Sequence, residues 1–407
     1  MKTLLIVCDG LGDRLTKGKT PLEKAKKPNM DHLARNGICG IMDTVAMGVR
    51  PGSDTSHLSL FGYDPYEVYT GRGPFEALGA GLNLQKGDVA LRCNFATIKD
   101  DGKIVDRRAG RQEHGLEKLA KDLDGMNIDN VKVTFKKCMG HRAVIVLRGE
   151  NLSAKISDVD HEGESAKHDR YKLSVPLEKT KEAKRTADIV NEFTKRSAEI
   201  LKDHPVNKER IAKGLLPANI ILSRGVGIMP HLVPFKGKYK LNAASISAVS
   251  LITGVCRAVG METIHVEGAN GHFNSNISGK ARAAIDALKK YDFVFLHIKG
   301  GDELSHDGNF EGKVKMIEKI DREVIRPILK EVKHTTIVLT ADHSTPCSIK
   351  QHSADPVPIA ILGDVRTDDV KKFEERECAK GGLHRICGRS LMGIILDLSN
   401  RTELFGA

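Results

Sequence analysis

The stretch Phe293-Val294-Phe295-Leu296-His297-Ile298-Lys299-Gly300-Gly301-Asp302-Glu303-Leu304-Ser305-His306 is an apolar run that stops at a lysine, two glycines and an acid. Its first six residues read as a strand. A strand that is apolar at nearly every position is buried on both faces, the habit of a parallel sheet with helices packed on each side. The same rhythm runs outward from it. Residues 277–291 read as a helix before the strand and 312–332 as a helix after it, while 335–339 and 357–362 read as further strands. Near the start of the chain, residues 4–8 read as a buried strand ending in Asp9-Gly10-Leu11-Gly12. Residues 21–36 read as a helix, with Pro21 near its start and Gly37 beyond its end. The alternation predicts an α/β fold, a parallel-rich sheet covered by helices on both faces.

The middle of the chain differs. Residues 131–135 and 143–147 are short strand-like runs, and 177–203 reads as one long helix with Ala183, Ala187, Val190, Phe193 and Ile200 near helical spacing. Residues 243–259, closed by Gly260, read as a helix that resumes the first block. The expected organisation is a discontinuous domain, 1–72 and 240–407, interrupted by a smaller α+β domain over 73–239.

In an open parallel sheet, ligands bind beyond the carboxyl ends of the strands. Asp9 follows the first strand, and Asp302 and His306 follow 293–298. Asp342 and His343 follow 335–339, and His352 lies in the loop just before 357–362. A single Asp after a strand is more often a turn former or helix cap than a ligand. Several carboxylates at one rim repel each other, and a pair of divalent cations removes that repulsion. Mixed carboxylate and imidazole sets suit Mn²⁺, Zn²⁺ or Co²⁺, with Mg²⁺ an option where oxygen ligands dominate.

Gly52-Ser53-Asp54-Thr55-Ser56-His57 precedes another apolar run. As structure alone it is a helix cap. As chemistry it is a serine at a helix N-terminus, where backbone N–H groups face an incoming phosphate and a metal would activate the hydroxyl as a nucleophile. The metal-ligand pattern elsewhere favours the nucleophile. His57, one turn further on, reads as packing or as an orienter of Ser53. His297, inside an apolar strand, reads as a core histidine.

Composition bounds the rest. The chain has 407 residues, 40% hydrophobic and 29% charged, enough for two or three domains. No stretch reaches the ~18 apolar residues of a membrane span, and the apolar N-terminal run is too short for a signal peptide, so a cytoplasmic protein with no membrane partner is expected. Eight cysteines without a CxxC pair suggest reduced thiols. The net charge of +11 raises nucleic-acid binding as a rival. No recognisable motif supports it, and 4% aromatic content with no Trp supplies few stacking platforms.

Together, Asp9, Gly52-Ser53-Asp54-Thr55-Ser56-His57, Asp302-xxx-His306, Asp342-His343 and His352 resemble the nucleophile and metal set of cofactor-independent phosphoglycerate mutases of the alkaline phosphatase superfamily, in particular their archaeal-type branch. Tyr69-Thr70-Gly71-Arg72-Gly73-Pro74-Phe75-Glu76-Ala77, Ser223-Arg224-Gly225-Val226-Gly227 and Gly381-Gly382-Leu383-His384-Arg385-Ile386 extend the likeness nearly end to end. The resemblance implies an isomerase of glycolysis and gluconeogenesis that interconverts 3-phosphoglycerate and 2-phosphoglycerate through a phosphoserine at Ser53. It implies one metal on Asp302, His306 and His352, and a second on Asp9, Ser53, Asp342 and His343. Mn²⁺ is the first choice of ion, and 2,3-bisphosphoglycerate is not required. The bacterial branch carries Asn-Ser-Glu-Val-Gly-His around its nucleophile, where this chain has Gly-Ser-Asp-Thr-Ser-His.

A retained glycerate is an anion, so the inserted domain is expected to bind it with basic groups and act as a lid. Arg224 is the first candidate. Arg108, in a cluster with Arg107 and Arg111, is the second, and Arg142 the third; His141 is a candidate general acid–base group. Lys299 is a candidate for offsetting charge in the transition state. A metal-dependent phosphomonoesterase or a phosphopentomutase shares the motif set and is the nearest alternative.

Overall fold

In the computed structural model, which describes residues 1–160, 170–402, 404 and 406, strand Phe293–Ile298 is buried at every position and lies inside an eight-stranded sheet. Across that sheet the strands run Glu262–Thr263, Ala243–Ile246, Phe293–Ile298, Lys2–Cys8, Thr335–Thr340, Val357–Leu362, Ile38–Asp43 and His384–Cys387. All neighbouring pairs are parallel except the two made by Val357–Leu362, which is antiparallel to both partners. Helices Ile277–Lys290, Phe310–Ile320 and Ser250–Ala258 each bury one apolar face. The parallel-rich α/β architecture is therefore as the sequence predicts.

Two element expectations fail. Residues 243–259 are not one helix: Ala243–Ile246 is a buried strand beside Phe293–Ile298, and the helix starts at Ser250. Residues 21–36 form two short helices, Pro21–Lys24 and Pro28–Asn36. Pro28 has no N–H to donate and disfavours helical backbone at Lys27, so a helix restarts there instead of running through. The expected helix over 312–332 is continuous only in outline, because Asp321–Ile325 widens to a π turn. That turn accommodates Asp321, whose carboxylate accepts the N–H groups of Asn29 and Met30 at 3.0 and 2.7 Å.

The chain divides into two compact units, Met1–Tyr69 with Leu232–Ala407, and Thr70–His231. The second is built on antiparallel strands: Val89–Ile98 pairs with Arg142–Arg148 and with Ile220–Ile228, and Val131–Lys137 extends the sheet. Helices Leu116–Leu123 and Lys181–Lys202 cover one apolar face, where Phe95, Phe135 and Phe193 are buried together. All eight cysteines are free thiols. Among the described residues no helix is long and apolar enough to cross a membrane.

Two buried ionisable side chains tie the loops at the sheet rim of the first unit. Lys313, fully buried, donates to Gly12 O at 2.9 Å, Thr345 O at 3.0 Å and Asp13 Oδ2 at 3.2 Å, so each ammonium hydrogen has an acceptor. Glu375, also buried, accepts from Asp13 N and Thr20 Oγ1 at 3.0 and 2.7 Å. Burial lifts its carboxyl from 4.5 to about 7. The folded state thus keeps a proton that the unfolded chain releases, and stability falls as pH rises from about 4.5 to 7. Glu375→Gln copies the neutral acid and should flatten that part of the profile, with a gain on the order of 2–3 kcal/mol at pH 8. Parallel profiles for the two proteins in chemical denaturation across pH 4.5–8 would exclude this assignment.

Candidate active site

Asp9 lies immediately beyond strand Lys2–Cys8, its N–H bonded to Ile298 O at 2.9 Å. Its carbonyl accepts from Asp302 N at 3.0 Å, which sets the two acids side by side. Gly10 makes this approach possible: it has φ +64°, and a Cβ there would stand 2.6 Å from Asp302 Cα. Gly10 N in turn donates to Asp342 Oδ1 at 3.1 Å. Asp302 and His306 sit on the short helix Gly301–His306, one turn apart. Because Val357–Leu362 runs antiparallel, the loop that leads into it begins at the rim where the parallel strands end, and this brings His352 to the other ligands.

Ser53 is the first residue of helix Ser53–Leu60; Gly52 takes the cap position. Its Oγ lies 3.2 Å from His343 Nε2. The same nitrogen is 3.3 Å from Asp342 Oδ2 and 3.6 Å from Asp9 Oδ1. In the neighbouring group Asp302 Oδ1 is 3.2 Å from His306 Nε2 and 3.4 Å from His352 Nε2. His343 and His352 stack with ring centroids 3.6 Å apart. All seven residues singled out in the sequence therefore gather in one place. Two three-residue groups have ligand-capable atoms mutually within 4.8 Å: Asp9, Asp342 and His343, and Asp302, His343 and His352. His343 belongs to both, although the resemblance assigned it to one.

The residues fit divalent cations. Asp9 Oδ1 and Asp342 Oδ2 are buried with no hydrogen-bond partner, an arrangement that is costly unless a cation supplies the missing charge. Each histidine has its Nδ1 engaged: His306 with Lys350 O at 2.8 Å, His352 with Pro51 O at 2.9 Å and His343 with Thr345 Oγ1 at 2.9 Å. That turns each Nε2 into the site, the ring nitrogen left for a metal to take. Lys299 Nζ spans Asp9 Oδ2 at 3.1 Å and Asp302 Oδ2 at 2.7 Å. Burial pushes both carboxyls up, but Lys299 and the histidines outweigh it and hold Asp9 and Asp302 well below the usual range. Lys299, expected among the substrate groups, thus stands among the carboxylates of the first unit.

Two further histidines complete the surroundings. His297 is buried as expected, yet its Nε2 lies 3.2 Å from Asp9 Oδ2. His57 Nδ1 donates to Ser53 O at 2.6 Å, pinning the backbone of the serine. The ligand-capable atoms of His57, His297 and Asp342 also lie within 4.8 Å of one another. With Nδ1 spent on Ser53, we read His57 as a support for the serine.

The second unit contains its own basic site. Arg72, Arg92, Arg224, Lys172, Asp158 and Asp160 help line a cavity of about 990 Å³. Arg92 and Arg224 stand directly opposite each other across paired strands, a like-charge pairing that is unfavourable without anions nearby. Glu76 is 3.7 Å from Arg92 Nε, and Asp160 is 3.7 Å from Arg224 Nε. Burial, together with Arg142, Arg72 and Arg224, pulls the Arg92 guanidinium down to about 9. Burial and the field of Arg142, Arg108, Arg92 and Arg111 take His141 from 6.5 to about 3. Arg224, Arg142, Arg108 and His141 thus share one electropositive region, and His141 is neutral at physiological pH. Sequence reasoning missed Arg92; its one available signal was a charge inside the apolar run Val89-Ala90-Leu91-Arg92-Cys93.

A mostly parallel sheet that presents carboxylate and imidazole groups beside a serine at a helix start is a layout suited to divalent cations and an activated hydroxyl. Comparison with known proteins narrows the class. Residues 34–207 match the family model described as 2,3-bisphosphoglycerate-independent phosphoglycerate mutase. The chain is 51% identical to 2,3-bisphosphoglycerate-independent phosphoglycerate mutase 1 of Methanocaldococcus jannaschii over 100% of this chain and 99% of that one. It is 53% identical to the protein of the same name from Archaeoglobus fulgidus, with both chains covered in full. Among solved structures, a cofactor-independent phosphoglycerate mutase from Thermoplasma acidophilum superposes with a TM-score of 0.71 at 38% identity, over 98% of this chain and 100% of that one. A protein of Pyrococcus horikoshii superposes with a TM-score of 0.87 at 41% identity, over 100% and 99%. The chain belongs to the 2,3-bisphosphoglycerate-independent phosphoglycerate mutase family.

Proposed function

We propose that the chain interconverts 3-phosphoglycerate and 2-phosphoglycerate by way of a phosphorylated Ser53. Ser53 Oγ gives up its proton and takes the phosphoryl group as the ester bond to glycerate breaks, and the departing glycerate oxygen takes up a proton. Glycerate reorients, and its other hydroxyl takes the group back. Two divalent ions, Mn²⁺ first, held by Asp302, His306 and His352 and by Asp9, Ser53, Asp342 and His343, would neutralise the phosphoryl oxygens. The helix start adds partial positive charge beside Oγ, and Lys299 keeps Asp9 and Asp302 ionised and in place. Arg224, Arg108 and Arg142 are the proposed partners of the anionic substrate. His141 is the proposed proton exchanger for the glycerate hydroxyls, a role that calls for the bound anion to offset the arginines that hold it at about 3.

The observation that carries this reading is Ser53 Oγ 3.2 Å from His343 Nε2, beside the partnerless oxygens of Asp9 and Asp342. Full-length identity to named mutases supports the substrate. The test is an enolase-coupled assay on 3-phosphoglycerate with and without added Mn²⁺. Release of inorganic phosphate with no 2-phosphoglycerate would make the protein a phosphatase instead. Arg224→Met should raise the KM for 3-phosphoglycerate by about tenfold or more, the worth of a charge-assisted hydrogen bond. An unchanged KM would remove Arg224 from the substrate contacts.

A further inference from the structure

We propose that Tyr69 is a positioning residue that holds the Asp54 carboxylate back from Ser53, so that the serine stays open to an incoming phosphate; the proposal rests on the reading of Ser53 as the nucleophile. Tyr69 is the last residue of the first unit before the chain passes into the second at Thr70. Its phenol donates to Asp54 Oδ2 at 2.7 Å. The segment that presents it is fastened before and after the short helix Pro65–Val68. Tyr63 Oη donates to Val233 O at 2.7 Å, Arg389 Nη1 to Asp64 Oδ2 at 2.6 Å, and Tyr69 N to Pro65 O at 3.0 Å. The phenol therefore reaches Asp54 from a fixed point.

Asp54 follows Ser53 in the first turn of helix Ser53–Leu60 and is 4% exposed. An acid there complements the partial positive charge of a helix start. Beside this serine it also carries a cost, because a phosphate is to approach the same helix start and two anions repel. The carboxylate is folded back along the turn. Oδ1 accepts from Thr55 N at 3.1 Å and lies against Gly52, where a Cβ would stand 2.6 Å from it. Glycine at 52 leaves the room that this side-chain position needs. With Oδ1 on Thr55 and Oδ2 on Tyr69, two donors draw the charge to themselves, while Ser53 Oγ lies beside His343 Nε2 at 3.2 Å. Without the phenol the carboxylate can swing toward Ser53, where it repels the phosphate and competes for the hydroxyl hydrogen. Tyrosine supplies this restraint where phenylalanine cannot.

Tyr69→Phe keeps the ring and removes the hydroxyl, whereas Asp54→Asn removes the charge that the hydroxyl restrains. Rapid acid quench of the full-length protein with 3-phosphoglycerate, at Mn²⁺ that saturates each variant, gives the rate at which phosphate appears on Ser53. Tyr69→Phe should slow that step about tenfold, the worth of a hydrogen bond to a charged group. In the Asp54→Asn background the same change should cost less than about twofold, because no charge remains to restrain. Asp54→Ala serves the same comparison if the asparagine variant does not fold. A merely structural tyrosine would cost the same factor in both backgrounds; that result would overturn the proposal alone, as would a Tyr69→Phe rate equal to wild type. A wild type that turns over 3-phosphoglycerate without ever carrying phosphate on Ser53 would overturn the reading of Ser53, and the proposal with it.

Discussion

Ser53→Ala should keep the fold while losing at least about 10⁴-fold in turnover, the scale seen when a nucleophile that acts as part of a unit is removed. The fold is expected to survive for local reasons. Ser53 is half-buried and occupies the first helical position, not the cap, and alanine is a good helix former there. The helix start remains closed by the exchange between Gly52 N and Thr55 Oγ1 at 3.2 Å. His57 still finds Ser53's backbone carbonyl, which alanine also has. What disappears is the oxygen 3.2 Å from His343 Nε2. Rapid acid quench of the wild type with 3-phosphoglycerate should trap a phosphate on the peptide containing Ser53, and the variant should trap none. Full mutase activity in the alanine variant would mean that the phosphoryl group moves by another route.

Much of this site was legible because of where its residues fall. Asp9, Asp302 and Asp342 each follow an apolar strand, and a parallel sheet sends all such positions to one edge. His352 was harder, since it precedes its strand; the antiparallel run of Val357–Leu362 is what puts that loop at the same edge. Ala243–Ile246 was misread because alanines favour helix, and only its neighbours Phe293–Ile298 and Glu262–Thr263 make it a strand. The basic groups of the second unit were least legible. A sequence with 64 lysines and arginines does not say which are buried, and Arg92 is distinguished by its burial and by Arg224 across the sheet. His297 was legible only as a core histidine, because an imidazole inside an apolar strand gains further meaning only from the carboxylate it meets.

Metal removal and Asp342→Asn should produce effects that partly replace one another. Asp342 is fully buried, with Oδ1 held by Gly10 N and Oδ2 without a partner, 3.3 Å from His343 Nε2. Asparagine can retain the bond from Gly10, but it offers either that oxygen or an N–H₂ group to the cation and carries no charge. Affinity at that position should fall by about 100-fold or more, and turnover by about 10³, with partial recovery at high Mn²⁺. Stability should show the opposite pattern to activity. An ion present at 100 times its dissociation constant stabilises the folded chain by about 2.7 kcal/mol, so chelation should lower the melting temperature of the wild type by several degrees. The variant has lost part of that linkage and has one fewer buried carboxylate to accommodate once the ions are gone. Its melting temperature should fall less on chelation, and its metal-free form should melt at or above the metal-free wild type. Equal drops for both proteins, measured by calorimetry with and without chelator, would mean that Asp342 does not hold the ion, and that its partnerless oxygen serves some other contact.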